Sequence, residues 1–158
     1  MSDARFEDGE DAPLALLAQN VEDLQILAAL TQDAVFPVTD MRFDAKRREF
    51  SLLLNRFRWE DRDAAERAAR AYERVRSVLM FRDVLTVRTQ GIPQGDKDVI
   101  LSLLSIAFVP GEDGTGQVLL TLAGDGAVEL QVEALNAVAR DVTRPYRAAS
   151  KQVPMHKD

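Results

Sequence analysis

The side chains in this sequence that could do chemistry are arginines and carboxylates, and little else. The chain has one histidine, His156, near its end, and no cysteine. Imidazole does most general acid–base work, and imidazole and thiolate supply most zinc sites. His156 reads as a solvated tail residue. The sequence therefore offers no Ser-His-Asp arrangement, no thiol nucleophile and no His/Cys metal site. Three carboxylate groups, Glu60 with Asp61, Asp63 and Glu66, Asp96 with Asp98, and Glu112 with Asp113, lack the ligand spacing of a calcium loop. They read as solvated surface charge. Gly111, Gly114 and Gly116 are not followed by Gly-Lys-Ser/Thr, so they form no phosphate cradle. No catalytic residue, metal ligand or cofactor motif is assigned.

The most suggestive segment is basic and aromatic. Arg56 and Arg58 alternate with Phe57 and Trp59, the only tryptophan. In an extended strand, residues two apart share a face. Arg74, Arg76, Arg82 and Arg88 follow on further expected strands. If those strands are neighbours, Arg56, Arg58, Arg74, Arg76, Arg82 and Arg88 beside Trp59 make a patch. Guanidinium groups bind carboxylate or phosphate in a bidentate fork, so the patch would suit an anion or an acidic protein. The plainer reading is that these arginines pair with Glu49, Glu60, Asp61, Glu66, Glu73 and Asp83, with Trp59 closing one end of the core.

Charge is unevenly spread along the chain. Residues 1–40 carry one arginine against nine acids, and residues 41–88 carry 13 basic side chains against 8 acids, within an overall net charge of −6. Nucleic-acid binders are more often basic throughout and display several aromatics for stacking. Here nucleic acid is not the expected partner; a protein partner or self-association is. The absence of cysteine, and a polar acidic N-terminus in place of a basic and apolar leader, point to a cytoplasmic protein. No apolar run approaches the ~20 residues of a membrane span.

The elements that must position these side chains follow from periodicity. Residues 1–13 read as a flexible acidic tail. A helix is expected at about 20–32, capped by Asn20, with Leu24 and Leu27 on its apolar stripe. Residues 35–38 suggest a short strand. A hairpin follows, Met41–Asp44 and Glu49–Phe57, with Phe50, Leu52 and Leu54 on one face and Leu53 and Phe57 on the other. Leu53 and Phe57 mark the second strand as central to its sheet. Residues 60–72, rich in Ala, Glu and Arg, read as an exposed helical insertion. Strands are expected at 74–81, 84–89, 99–109, 117–123 and 127–132, the last two around Gly124-Asp125-Gly126. Leu135, Val138, Ala139 and Val142 fit a C-terminal helix over 133–143, stopped by Pro145. Residues 146–158 read as a second tail.

Seven or eight strands in sequential hairpins, with a helix at each end, define an α+β domain over residues 14–145. A strongly bent antiparallel sheet, as in a pleckstrin-homology-like barrel, is the favoured architecture. An open antiparallel sheet is the alternative.

Four stretches, NRFRWE at 55–60, SVLMFRDVLTVRTQGI at 77–92, VILSLLSIAF at 99–108 and GDGAVELQVEALNAVARDV at 124–142, resemble a small alphaproteobacterial family, the domain of unknown function DUF2948. The resemblance implies no activity, ligand or catalytic residue. The residues themselves favour a non-enzymatic binding or adaptor module that recognises an acidic partner or an anion. Two alternatives stand beside it: a lyase- or isomerase-type enzyme using arginine and carboxylate on a small anionic metabolite, and an RNA-contacting accessory protein.

Overall fold

The computed structural model describes residues 12–93, 95–148 and 152–154. His156 and nearly all of the 1–13 segment lie outside the described residues. The chain forms one antiparallel sheet and two short helices, an α+β arrangement. The strands are β1 (Ala15–Ala18), β2 (Val35–Pro37), β3 (Met41–Asp44), β4 (Glu49–Phe57), β5 (Glu73–Phe81), β6 (Val84–Gln90), β7 (Ile100–Pro110), β8 (Gly116–Leu122), β9 (Ala127–Val132), β10 (Ala137–Asp141) and β11 (Tyr146–Arg147). The helices are α1 (Val21–Leu30) and α2 (Arg62–Arg67).

The main path through the sheet is β1-β10-β5-β4-β2-β7-β8-β9-β6, with β3 added to β4 and β11 to β5. Only two residues, Arg82 and Asp83, join β5 to β6, yet β6 pairs with β9 at the far end of that path. The sheet must therefore curl back on itself. Asp83 turns this corner with φ 58, in the left-handed region that Asp tolerates better than most residues. Backbone bonds from Arg82 to Asn136, Val84 to Arg48 and Glu133 to Asp83 hold the corner closed. The ends of the path, β1 and β6, do not pair with each other, so the curled sheet stays open.

Alternation puts one face of β4, β5, β8 and β9 inward. Phe50, Leu52 and Leu54 of β4 meet Leu79 and Phe81 of β5, Leu120 and Leu122 of β8, and Leu130 and Val132 of β9 in one core. Helix α1 adds Leu24 and Leu27 to it, and the Asn20 side chain accepts from the Asp23 amide at 2.8 Å. This is the expected N-terminal helix and cap. β4 lies between β5 and β2, as Leu53 suggested.

The expected C-terminal helix is not formed. Residues 137–141 are β10, hydrogen-bonded to β1 on one side and β5 on the other. Helical spacing and alternation coincide over this stretch, because Leu135, Ala137 and Ala139 also lie two apart, and all three are buried. The alanines that raise helix propensity serve here as small inward side chains. Pairing on both edges outweighs a propensity worth only tenths of a kcal/mol per residue. Two further expectations differ from what is observed. Tyr146 and Arg147, read as tail, add to β5 as β11. The 60–72 segment, read as exposed, buries Asp61 and Ala65. It also brings Tyr72 against Phe57, with ring centroids 5.4 Å apart.

Candidate functional site

Arg56 belongs to the inward rank of β4, two residues beyond Leu54, and its side chain is fully buried. A buried guanidinium requires both charge partners and hydrogen bonds. Its Nη1 and Nη2 donate to Glu60 Oε1 and Oε2 at 2.9 and 2.7 Å. Nη2 also donates to Asp141 Oδ1 and Oδ2, both at 3.0 Å, and Nε donates to Ser77 Oγ at 3.0 Å. Ser77 and Asp141 come from the inward ranks of β5 and β10 and stand opposite each other in the ladder. Ser77 Oγ donates to Asp141 Oδ1 at 2.6 Å, and the Leu14 amide donates to Asp141 Oδ2 at 2.8 Å. Every polar group in this cluster thus works against another.

Arg58 is also buried, and its Nη1 bonds Glu73. Asp61, buried in turn, accepts both Nη groups of Arg70 at 2.7 and 2.6 Å. Trp59 packs edge-on against Phe57, centroids 4.7 Å apart, and its Nε1 donates to the Gln32 carbonyl at 3.0 Å. Together these groups seal one end of the core.

Electrostatics agree with a structural role. Burial works against ionisation of Glu60, but the Arg56 hydrogen bonds and field outweigh it and hold the carboxyl below its ordinary range. A general acid poised near neutrality needs the opposite shift. Burial likewise opposes the Arg56 charge, and Glu60 and then Asp141 raise its pKa above the usual guanidinium value. Among the described residues, no three His, Asp or Glu side chains form a group able to hold a metal ion.

The sequence-assigned arginines divide into distinct settings. Arg56 and Arg58 point inward. Arg74 is half-buried and donates to the Asn55 carbonyl and Oδ1, both at 3.2 Å; burial lowers its pKa. Arg82 lies at the β5–β6 corner, 3.9 Å from Glu49. Arg88 is exposed on β6, opposite Glu129 of β9. Arg76 stands exposed on the outer face of β5, opposite Asn55. Trp59 is half-buried and turned to the core end.

The outer face around Arg76 holds residues that sequence reasoning did not assign. One row across it reads Leu17, Val138, Met80, Ser51 and Arg42; the next reads Ala15, Arg140, Val78 and Leu53. Arg42, Arg76 and Arg140 are all exposed around an aliphatic centre. None of the three is within ion-pair distance of a described carboxylate. A depression of about 230 Å³ is lined by Arg76, Asn55, Leu53, Asp40 and Ile100, and a second of about 210 Å³ by Arg42, Ser51, Leu53, Asp40 and Val78. They share Leu53 and Asp40 and run together along β4. The parity of Arg56 with Phe50, Leu52 and Leu54 was the signal that it points inward. The convergence of Arg42, Arg76 and Arg140 depends on pairings between strands far apart in the chain and left no local signal.

The chain is thus an α+β domain whose curled antiparallel sheet seals one polar cluster inside and carries Arg42, Arg76 and Arg140 around aliphatic side chains on its open face. Residues 14–156 match the model of a family described as a protein of unknown function, DUF2948, and the chain belongs to that family. No curated protein and no solved structure matches it.

Proposed function

We propose that the chain is a cytoplasmic, non-enzymatic binding or adaptor module that recognises an acidic protein partner through arginines on the outside of its sheet. The reading rests above all on Arg76. It lines an open depression with Leu53, Asn55, Asp40 and Ile100, and no described carboxylate is within 4.0 Å of its guanidinium. Ile100 is 61% exposed at the rim, so the charge sits beside apolar surface that a partner can bury. The buried guanidinium groups support the same reading from the other side. Arg56 and Arg58 are engaged by Glu60, Asp141 and Glu73, leaving the outward arginines for recognition.

The test is fluorescence anisotropy of labelled poly-L-glutamate with the full chain. Binding at low salt that weakens toward ~0.15 M, where exposed charges are screened beyond ~8 Å, supports the proposal. Arg76→Glu should abolish it. No binding at low salt removes the proposal.

A further inference from the structure

We propose that the outer face formed by β3, β4, β5 and β10 docks an extended acidic segment of a partner protein, with carboxylates at Arg42 and Arg76 and an aliphatic side chain between them over Leu53 and Val78. This rests on the acidic-partner reading and names the surface and the pattern it selects. Arg42 stands opposite Ser51 and Arg76 opposite Asn55. The two arginines flank β4 from opposite sides, offset by about 13 Å along it at ~3.3 Å per residue and by two strand spacings, ~9.6 Å, across it, so their Cα atoms are ~16 Å apart on a diagonal. Two glutamates four apart in an extended segment span ~13 Å, the long arginine and glutamate side chains bridge the remainder when the segment crosses β4 diagonally, and the residue midway between them shares their face.

The floor between the arginines is aliphatic: Leu53 and Val78, with Met80 and Val138 beyond. Asp40 lines both depressions next to Leu53. A third carboxylate at the middle position would meet Asp40, so the site selects an apolar residue there and acids at the ends. Asp44, Glu49 and Arg47 line a further depression at the Arg42 end, where Asp44 and Arg47 are 3.9 Å apart. Arg140, opposite Val78, adds a third positive charge on the β10 side. Single-stranded nucleic acid stacks its bases on exposed aromatic rings, and the side chains of these rows are aliphatic or polar.

The experiment titrates the isotope-labelled full chain with a capped peptide, Gly-Glu-Ser-Leu-Ser-Glu-Gly, and with an isomer whose two glutamates are adjacent. Amide shifts should concentrate at Ser51–Asn55, Val78 and Met80. Arg42→Glu and Arg76→Glu should each weaken the peptide by about tenfold or more, one decade being ~1.4 kcal/mol. Leu53→Glu should do the same, and Arg88→Glu should not. The isomer should bind more weakly by a similar factor. If poly-L-glutamate binds and Arg76→Glu abolishes it, but Arg42→Glu and Leu53→Glu are silent toward the peptide, this surface is wrong while the acidic-partner reading stands. If neither probe binds, both fall. Binding that appears only after Asp3, Glu7, Asp8, Glu10 and Asp11 are neutralised would make the chain's own acids the occupant and overturn the proposal. So would single-stranded RNA that binds through the same arginines in preference to the peptide.

Discussion

Arg56 and Asp141 are 85 positions apart in the chain, and Arg56 Nη2 lies 3.0 Å from both carboxylate oxygens of Asp141. The contact crosses β5 and joins β4 to β10, and it exists only because the C-terminal segment is a strand. Both side chains are almost completely buried, at 0% and 2% exposure. Neutralising Asp141 leaves the Arg56 charge paired with Glu60 but removes charge-assisted hydrogen bonds from buried donors, each worth ~1.5–3 kcal/mol.

Asp141→Asn should therefore lower the free energy of unfolding by about 1.5–3 kcal/mol, measured by urea denaturation. Glu60 remains to Arg56, which keeps the loss from being larger. A loss under about 0.5 kcal/mol, the range of ordinary surface changes, would mean that the cluster contributes little.

Glu60 makes stability depend on pH with a fixed sign. Its carboxyl is held below the ordinary value in the folded chain. The unfolded chain therefore takes up the proton first as pH falls. The contribution is complete above the unfolded value of ~4.3 and is lost as pH drops through the lower folded value. Stability against pH, followed by thermal melting, should fall more gently below pH ~4.3 in Glu60→Gln than in the parent chain. Parallel acid limbs would contradict this.

Ala139 tests the strand assignment of residues 137–141. It is fully buried and faces Leu79 on one side and Leu16 on the other. Ala139→Leu should overpack this point and cost about 1–3 kcal/mol in chemical denaturation. A neutral or stabilising effect would favour a looser, helix-like arrangement there.

The parts legible in the sequence were those fixed by local periodicity. The Asn20 cap, α1, the β3–β4 hairpin, the central place of β4 and the strands from β2 to β9 all follow from spacing a few residues long, whereas β1 had no such signal. The C-terminal strand did not, because Leu135, Ala137 and Ala139 satisfy alternation while Leu135, Val138 and Ala139 satisfy a helical period. Only pairing with β5 and β1, distant in sequence, decides between them. The same blindness hid Asp141 as the partner of Arg56. It also hid the approach of Arg42, Arg76 and Arg140, which lie on three strands. The inward parity of Arg56 could be read, but a charged residue at the end of an apolar rank resembles a solvated strand end until its partners are known.

The division of labour among the arginines is tested most directly by comparing Arg76→Gln with Asp141→Asn for both melting temperature and poly-L-glutamate affinity. Arg76→Gln should leave stability within ~0.5 kcal/mol of the parent and weaken binding severalfold, whereas Asp141→Asn should lower the melting temperature and leave the affinity of the folded fraction unchanged. The reverse pattern, with binding lost from the buried cluster and kept when Arg76 is neutralised, would place recognition at the core end and contradict the account.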